Sequence, residues 1–514
     1  MKKILLINSN RLRHPWPVIP FGLCSVAAAL EVAGYSVNVL DLCFSSQPER
    51  DIQRAIQTEQ PDIIGIGIRN IDNASGYNTI FMLDQIKCEV VEPCKKYSAC
   101  PIVIGGAAVG ISGAEMLQFF DLPYAIQGDG ERAIVELVKR LENNAPMDGL
   151  GGLIQRSNDG RILEDNPPWP VQDLNALPYV SFKRYIDADL YNQYNSPLQI
   201  QTKRGCALRC AYCTYNRIEG AVYRLRDPQR VADEIERMVS ETGIDFIEFT
   251  DSTFNIPLAH AKAVLCAVAS RKLNLKCRTM GLNPSAVDEE LAGLMSQVGF
   301  KEVDLGVESG CDLTLQGLVK NFTKKDVMRA GSLLQAKKIP TSWYLLVGAP
   351  GETVETLNET FETIGNAASP WDLVIIGVGI RVYKGSPISE CFADQDPDSR
   401  SDNFLHPVSY EPEALDLEAI KVLTKRAILR YSNFLSYDED IQFKDVVIRG
   451  ANLVLKWFAN DQPLWRMLIL YRKVQNFIGV GFIRRKKFDR THEKLIARVQ
   501  AGNNFKRVDH SIKS

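Results

Sequence analysis

Short uncharged apolar runs alternate with helical stretches along the first 145 residues. Ile4-Leu5-Leu6-Ile7, Val37-Asn38-Val39-Leu40, Ile63-Ile64-Gly65-Ile66-Gly67-Ile68, Ile102-Val103-Ile104 and Tyr124-Ala125-Ile126 each read as a strand. Helical patterns lie between them, over 22–33 before Gly34 and from Glu131 to about 141. This alternation predicts a doubly wound parallel sheet, Rossmann-like, over residues 1–145. Ligands on such a sheet sit beyond the carboxyl ends of its strands. Here those ends carry Asn8-Ser9-Asn10, Arg69-Asn70, Gly105-Gly106-Ala107 and Gly128-Asp129-Gly130-Glu131.

A connector rich in proline (Pro167, Pro168, Pro170, Pro178) occupies residues 146–194. The alternation then resumes over 195–390, with strands predicted at 198–202, 246–250, 276–279, 302–306, 341–347 and 373–382. Six βα repeats in one block predict a partial (β/α)6 barrel with its active site at the strand carboxyl ends. Residues 391–514 break the pattern: an acidic loop over 394–403, a helix over 415–436, then a basic helical region. The whole is an α/β chain in which a doubly wound sheet precedes a partial barrel and a helical C-terminal region.

With 514 residues, 45% of them hydrophobic and 24% charged, the chain can bury a large core, which excludes a fibre and bulk disorder. No 18-residue uncharged apolar stretch appears, and the first apolar run is too short for a signal segment, so a cytoplasmic location is expected. The net charge of −2 is unevenly spread, since Gln442 onward holds 16 Lys/Arg against 5 Asp/Glu. That surplus suits an anionic partner or a solvated basic face. Leu464, Met467, Leu468, Tyr471, Val474 and Ile478 recur at helical spacing, with Arg466, Arg472 and Lys473 on the other side and Arg484-Arg485-Lys486-Lys487 following. Two readings stand: a helix lying peripherally on the inner face of the membrane, or one packing its apolar stripe on the barrel with its basic face in water. No aromatic-basic stripe indicates nucleic acid.

Nine of the 12 cysteines are scattered, but Cys206, Cys210 and Cys213 fall within eight residues directly after the first barrel strand. Zinc normally takes four protein ligands, and the nearest histidine, His260, is far along the chain. Three thiolates on one loop suit a four-iron cluster with one iron left open, in a reducing compartment. C-x3-C-x2-C in this setting resembles the radical S-adenosylmethionine (SAM) superfamily, and the domain order resembles its subgroup with an N-terminal cobalamin-binding domain. The resemblance covers residues 1 to about 390. It implies that Cys206, Cys210 and Cys213 ligate a [4Fe-4S] cluster whose open iron binds SAM. It further implies that Tyr212 packs near the adenine and cluster, that Asp251 (in Phe249-Thr250-Asp251-Ser252) lies where the methionine amine is contacted, and that Glu308 and Ser309 bind ribose or carboxylate. Arg381 matches a sixth-strand arginine that can pair with the carboxylate, and Gly348-Ala349-Pro350-Gly351-Glu352-Thr353 matches a fifth-strand turn. The usual Gly-Gly-Glu is absent after the second strand. Plainer readings stay open: Glu308 as a strand-end acid, Arg381 as a surface ion pair, the 348–353 turn as structure alone.

For the first domain the resemblance implies cobalamin, its nucleotide tail threading past Gly105, Gly106, Gly128 and Glu131. The Asp-x-His-x-x-Gly motif is absent and His14 is the only histidine before 260, so no protein histidine would ligate the cobalt. Arg69 would then lie beneath the cobalt and disfavour a lower ligand. The leading expectation is a cobalamin-dependent radical SAM methyltransferase acting on an unactivated carbon of a small-molecule or lipid substrate. An external electron donor such as flavodoxin or ferredoxin would serve it. A radical SAM cyclase or rearrangement enzyme is the alternative, and a non-catalytic cobalamin or redox sensor the alternative from another class.

Overall fold

The computed structural model of this chain describes residues 2–13, 16–76, 78–393, 404–437, 463, 465–477, 486 and 488. His14, Leu464, Ile478, Arg484, Arg485, Lys487 and the 394–403 loop lie outside them. Among the described residues no helix is long and apolar enough to cross a membrane.

The first sheet contains β1 (Lys3–Asn8), β2 (Ser36–Asp41), β3 (Ile63–Gly67), β4 (Ile102–Gly105), β5 (Tyr124–Ile126), β6 (Leu153–Arg156) and β7 (Ile162–Asp165), in the order β2-β1-β3-β4-β5-β6-β7. Strands β1 to β5 run parallel, and the apolar runs of β1, β3 and β4 are buried from both faces by helices, as continuous Ile/Val/Leu strands require. The expected connector differs in its first part: β6 and β7 form an antiparallel hairpin that extends this sheet.

Behind the connector comes a seven-stranded parallel sheet in the order β18-β15-β14-β13-β12-β11-β8. Its members are β8 (Leu198–Ile200), β11 (Phe246–Phe249), β12 (Lys276–Leu282), β13 (Phe300–Glu308), β14 (Thr341–Val347), β15 (Leu373–Val378) and β18 (Phe434–Ser436). Two small antiparallel pairs accompany it, β9 (Lys203–Arg204) with β10 (Arg224–Leu225), and β16 (Ile380–Val382) with β17 (Val408–Tyr410). Two expectations are corrected here. The helix expected over 415–436 stops at Arg430, and Phe434–Ser436 becomes the seventh barrel strand, satisfying the open edge of β15. The strand expected over 373–382 breaks at Gly379, whose φ of +78° turns the chain while its backbone packs against the backbone of Gly76 in the first domain.

Alternate barrel residues such as Ile247, Val303, Leu305, Trp343 and Val374 face the helices and form the main core. The opposite face carries a polar cluster on β11 to β13 and an apolar patch, Leu373, Ile375 and Leu435, on β15 and β18. Arg278 donates there to Glu302 at 2.7 Å, to Asp304 at 2.8 Å and to Glu248, and its guanidinium lies 4.5 Å from the Trp16 ring. Nothing in the local sequence announces that cluster, because its members come from three strands and a loop of the first domain.

The C-terminal helix Trp465–Phe477 docks on this sheet with Leu468 of the expected stripe, but the rest of its docking face is Trp465 and Ile469. Ile469 is buried among Leu373, Ile375 and Leu435, and Trp465 donates to Glu302 at 3.0 Å. Arg472, expected to face outward, reaches the backbone carbonyls of Phe434 and Ile428. Tyr471 and Val474 of the stripe stay exposed together with Leu470 and Phe477.

Candidate functional site

The cysteine loop is anchored at its root by a buried carboxylate. Asp251, just past β11, accepts hydrogen bonds from the Thr202 amide (2.8 Å), the Thr202 hydroxyl (2.7 Å) and the Lys203 amide (3.1 Å). The Lys203 ammonium sits 3.4 Å from it and donates to the Phe254 carbonyl at 3.0 Å. Asp251 therefore spends its acceptors on the chain leading into the loop, which corrects its expected role as a contact for the methionine amine. Farther along, Gly205 donates to Glu219 (3.2 Å), Cys206 to the Gly220 carbonyl (3.0 Å) and Ala211 to the Leu318 carbonyl (3.0 Å). The φ of +94° at Gly205, pressed against the Val222 carbonyl, is one that only glycine adopts without strain.

Cys206 and Cys210 are buried and Cys213 is half-buried. Burial pushes the Cys210 thiol up, and pushes Cys213 up to about 12. Among the described residues no three His, Cys, Asp or Glu side chains are already arranged around a metal position. The donor set itself fits an iron–sulfur cluster: three soft sulfurs on one loop, with no histidine or carboxylate among them. The Tyr223 hydroxyl is buried beside Cys206 and the Ala207 backbone, at the edge of the same loop.

Glu308 closes β13 with φ +62°, a left-handed conformation that a non-glycine residue holds only at a cost. It accepts from the Tyr212 hydroxyl at 2.7 Å and from the Lys320 ammonium at 3.1 Å. The structure thus brings together Tyr212, Glu308 and the cysteines, and adds Lys320, which sequence reasoning missed. One lysine among 60 Lys/Arg has no individual signature until the chain folds. The buried Ser309 hydroxyl pairs with that of Thr360 (2.6 Å) and accepts from the Cys311 amide (3.1 Å), in the turn that leads into the helix Asp312–Gly317.

Two further expected ligand residues instead join the domains. Arg381 is buried, ion-paired with Asp72 of the first domain at 2.8 Å, and donates to the carbonyls of Val382, Phe404 and Leu405. Glu131 is buried against Arg204, taking hydrogen bonds at 2.6 and 3.1 Å, with a third from Ser25 at 2.7 Å. Arg204 also meets Asp129 at 3.2 Å, and Arg224 pairs with Asp129. Burial alone would raise Glu131, but the Arg204 guanidinium overcomes it and holds the carboxyl at about 2. An acid at a strand end is an ambiguous signal, because burial against a distant arginine and exposure to a ligand look alike in sequence.

The glycines divide similarly. Gly106, at φ +110°, leaves no room for a Cβ beside the Ile68 carbonyl, so backbone packing already accounts for it. Gly128 lies under Pro168, where a Cβ would come within 2.7 Å of the proline Cβ. It lines a cavity of about 500 Å³ together with Asp129, Arg217, Glu219 and Arg224. Gly105 meets no such constraint. Arg69 is exposed at the end of β3 and lines a second cavity, of about 180 Å³, with Asn10, whose buried amide nitrogen has no partner. An orphaned amide and a cation at the carboxyl end of a doubly wound sheet fit a large ligand rich in amide groups.

Comparison with known families matches residues 15–138 to the B12 binding domain and residues 200–364 to the radical SAM superfamily. The chain carries a radical SAM domain behind a B12-binding domain. It is 25% identical over 457 residues to a tryptophan 2-C-methyltransferase of Streptomyces laurentii, spanning 76% of this chain and 74% of that protein. An anaerobic magnesium-protoporphyrin IX monomethyl ester cyclase of Rubrivivax gelatinosus is also 25% identical, over 86% of this chain and 79% of its own. Among solved structures, the radical SAM methyltransferase TsrM of Kitasatospora setae, with cobalamin and a [4Fe-4S] cluster bound, superposes with a TM-score of 0.71 at 26% identity. That match covers 80% of this chain and 82% of TsrM. In this B12-binding and radical SAM pair, the two domains meet through the Glu131–Arg204 and Asp72–Arg381 contacts.

Proposed function

We propose that this chain is a cobalamin-dependent radical SAM methyltransferase acting on an unactivated carbon of a small molecule. The observation that carries this reading is the lock between the domains: Arg204, two residues before Cys206, is buried against Glu131 at the carboxyl end of the first sheet. Such a lock keeps a ligand on that sheet and a cluster on the cysteine loop in fixed register. Cys206, Cys210 and Cys213 would hold the [4Fe-4S] cluster, Tyr212 and Glu308 would border SAM, and Arg69 and Asn10 would face cobalamin. When bound, the cluster supplies an electron for SAM cleavage and cobalamin carries the methyl group. The chain's part is to hold these groups in register and keep water from them. The described cysteines are all free thiols, in keeping with a reducing, cytoplasmic compartment, and a low-potential carrier such as flavodoxin or ferredoxin would deliver the electron.

The test is anaerobic reconstitution with iron, sulfide and cobalamin, followed by mass spectrometry for 5′-deoxyadenosine and S-adenosylhomocysteine. Formation of both supports methylation. Deoxyadenosine alone favours the cyclase-type reading, which the Rubrivivax relative keeps in view, and failure to take up both cofactors refutes either. The exposed Leu470, Tyr471, Val474 and Phe477 share one helix face, which supports a peripheral membrane contact and with it a lipid-borne substrate.

A further inference from the structure

We propose that Lys320 makes the iron–sulfur centre easier to reduce, by holding a buried positive charge against the cysteine loop at Tyr212. The inference rests on the cluster reading above. Lys320 follows the helix Asp312–Gly317, and its side chain is only 7% exposed. Its ammonium lies 3.1 Å from Glu308 Oε1 and 3.3 Å from the Tyr212 hydroxyl, over the rings of Tyr212 and Phe322 at 5.5 and 5.4 Å. Tyr212 stands between Cys210 and Cys213, so the ammonium is held against the segment that joins those two cysteines. The Ala211 amide donates to the Leu318 carbonyl, so the cysteine loop and the Lys320 loop are stitched together and this spacing is fixed by backbone.

Two oppositely charged groups, Lys320 and Glu308, therefore meet the Tyr212 hydroxyl between Cys210 and Cys213, in a site nearly closed to water. A cluster held by three thiolates gains a further negative charge on reduction. A cation beside it favours that electron and an anion opposes it, and low local dielectric enlarges both effects. The two members of the Lys320–Glu308 pair can be altered separately, which exposes the effect of each charge on the cluster. Lys320→Met should shift the reduction potential to more negative values, Glu308→Gln to more positive ones, and Lys320→Arg should leave it near wild type. A side chain that merely props Tyr212 in place would move thermal stability without producing opposite shifts.

The experiment is a potentiometric titration of the anaerobically reconstituted holoprotein without SAM, followed by electron paramagnetic resonance, with iron content measured on every sample. Wild type lacking the cluster absorbance would refute the cluster reading itself, a different failure. With the cluster present, a Lys320→Met potential that is unchanged or more positive overturns the proposal. So does a Glu308→Gln potential that is unchanged or more negative, and this second variant decides the question if Lys320→Met does not fold.

Discussion

Replacing Glu131 by glutamine should loosen the two domains, and the structure sets the scale. The carboxylate receives two hydrogen bonds from Arg204 and one from Ser25, and the pair's side chains are 5% and 9% exposed. Its pKa falls from 4.5 to about 2 because the guanidinium outweighs the burial that would raise it. At 1.36 kcal/mol per unit, that shift corresponds to roughly 3 kcal/mol of stability near neutral pH. The same size follows from removing one partner of a buried pair, about 3–5 kcal/mol, with Asp129 at 3.2 Å left to neutralise part of the Arg204 charge. A depressed carboxyl pKa contributes stability above its unfolded value and loses it as pH falls through the folded one. The Glu131→Gln deficit should therefore shrink between about pH 5 and about pH 2. Pulse proteolysis in urea, scoring release of the first domain, measures it. The double change Glu131→Leu with Arg204→Met should recover most of the loss, since matched apolar groups in place of a buried pair are close to neutral. A deficit below about 1 kcal/mol near neutral pH, or one that is flat across the acid range, would refute the argument.

Three further outcomes follow from the same contacts. Asp251→Ala removes the acceptor of three hydrogen bonds and the Lys203 partner from the root of the cysteine loop. Iron retained after reconstitution should drop well below wild type with all three cysteines intact, and full retention would show that the root does not position them. Gly106→Ala forces a Cβ onto the Ile68 carbonyl at positive φ and should cost about 1–3 kcal/mol in thermal unfolding, whereas no loss would mean the loop simply moves. If the exposed face of the C-terminal helix meets a membrane, Tyr471→Ser with Phe477→Ser should abolish co-sedimentation with anionic vesicles, and wild type that ignores lipid charge and salt removes that reading.

What the sequence determined by itself was everything carried by short-range pattern. Runs such as Ile63-Ile64-Gly65-Ile66 specify buried parallel strands because no charge interrupts them, and they appear as β3 and its neighbours. The spacing of Cys206, Cys210 and Cys213 specifies a loop chemistry because three thiols within eight residues stay near one another in any fold. Tertiary structure alone decided what each isolated charge does. Arg381 finds Asp72 some 309 residues away, Glu131 finds Arg204, and Lys320 finds Glu308 and Tyr212. A strand-end acid or arginine can meet a ligand or a distant partner, and the residue type is the same in both cases. The choice depends on which counter-charge the packed sheets bring to it, and burying a charge is tolerable only beside that partner. The seventh barrel strand was settled in the same way: Phe434–Ser436 is short and pairs only because β15 presents an open edge to it.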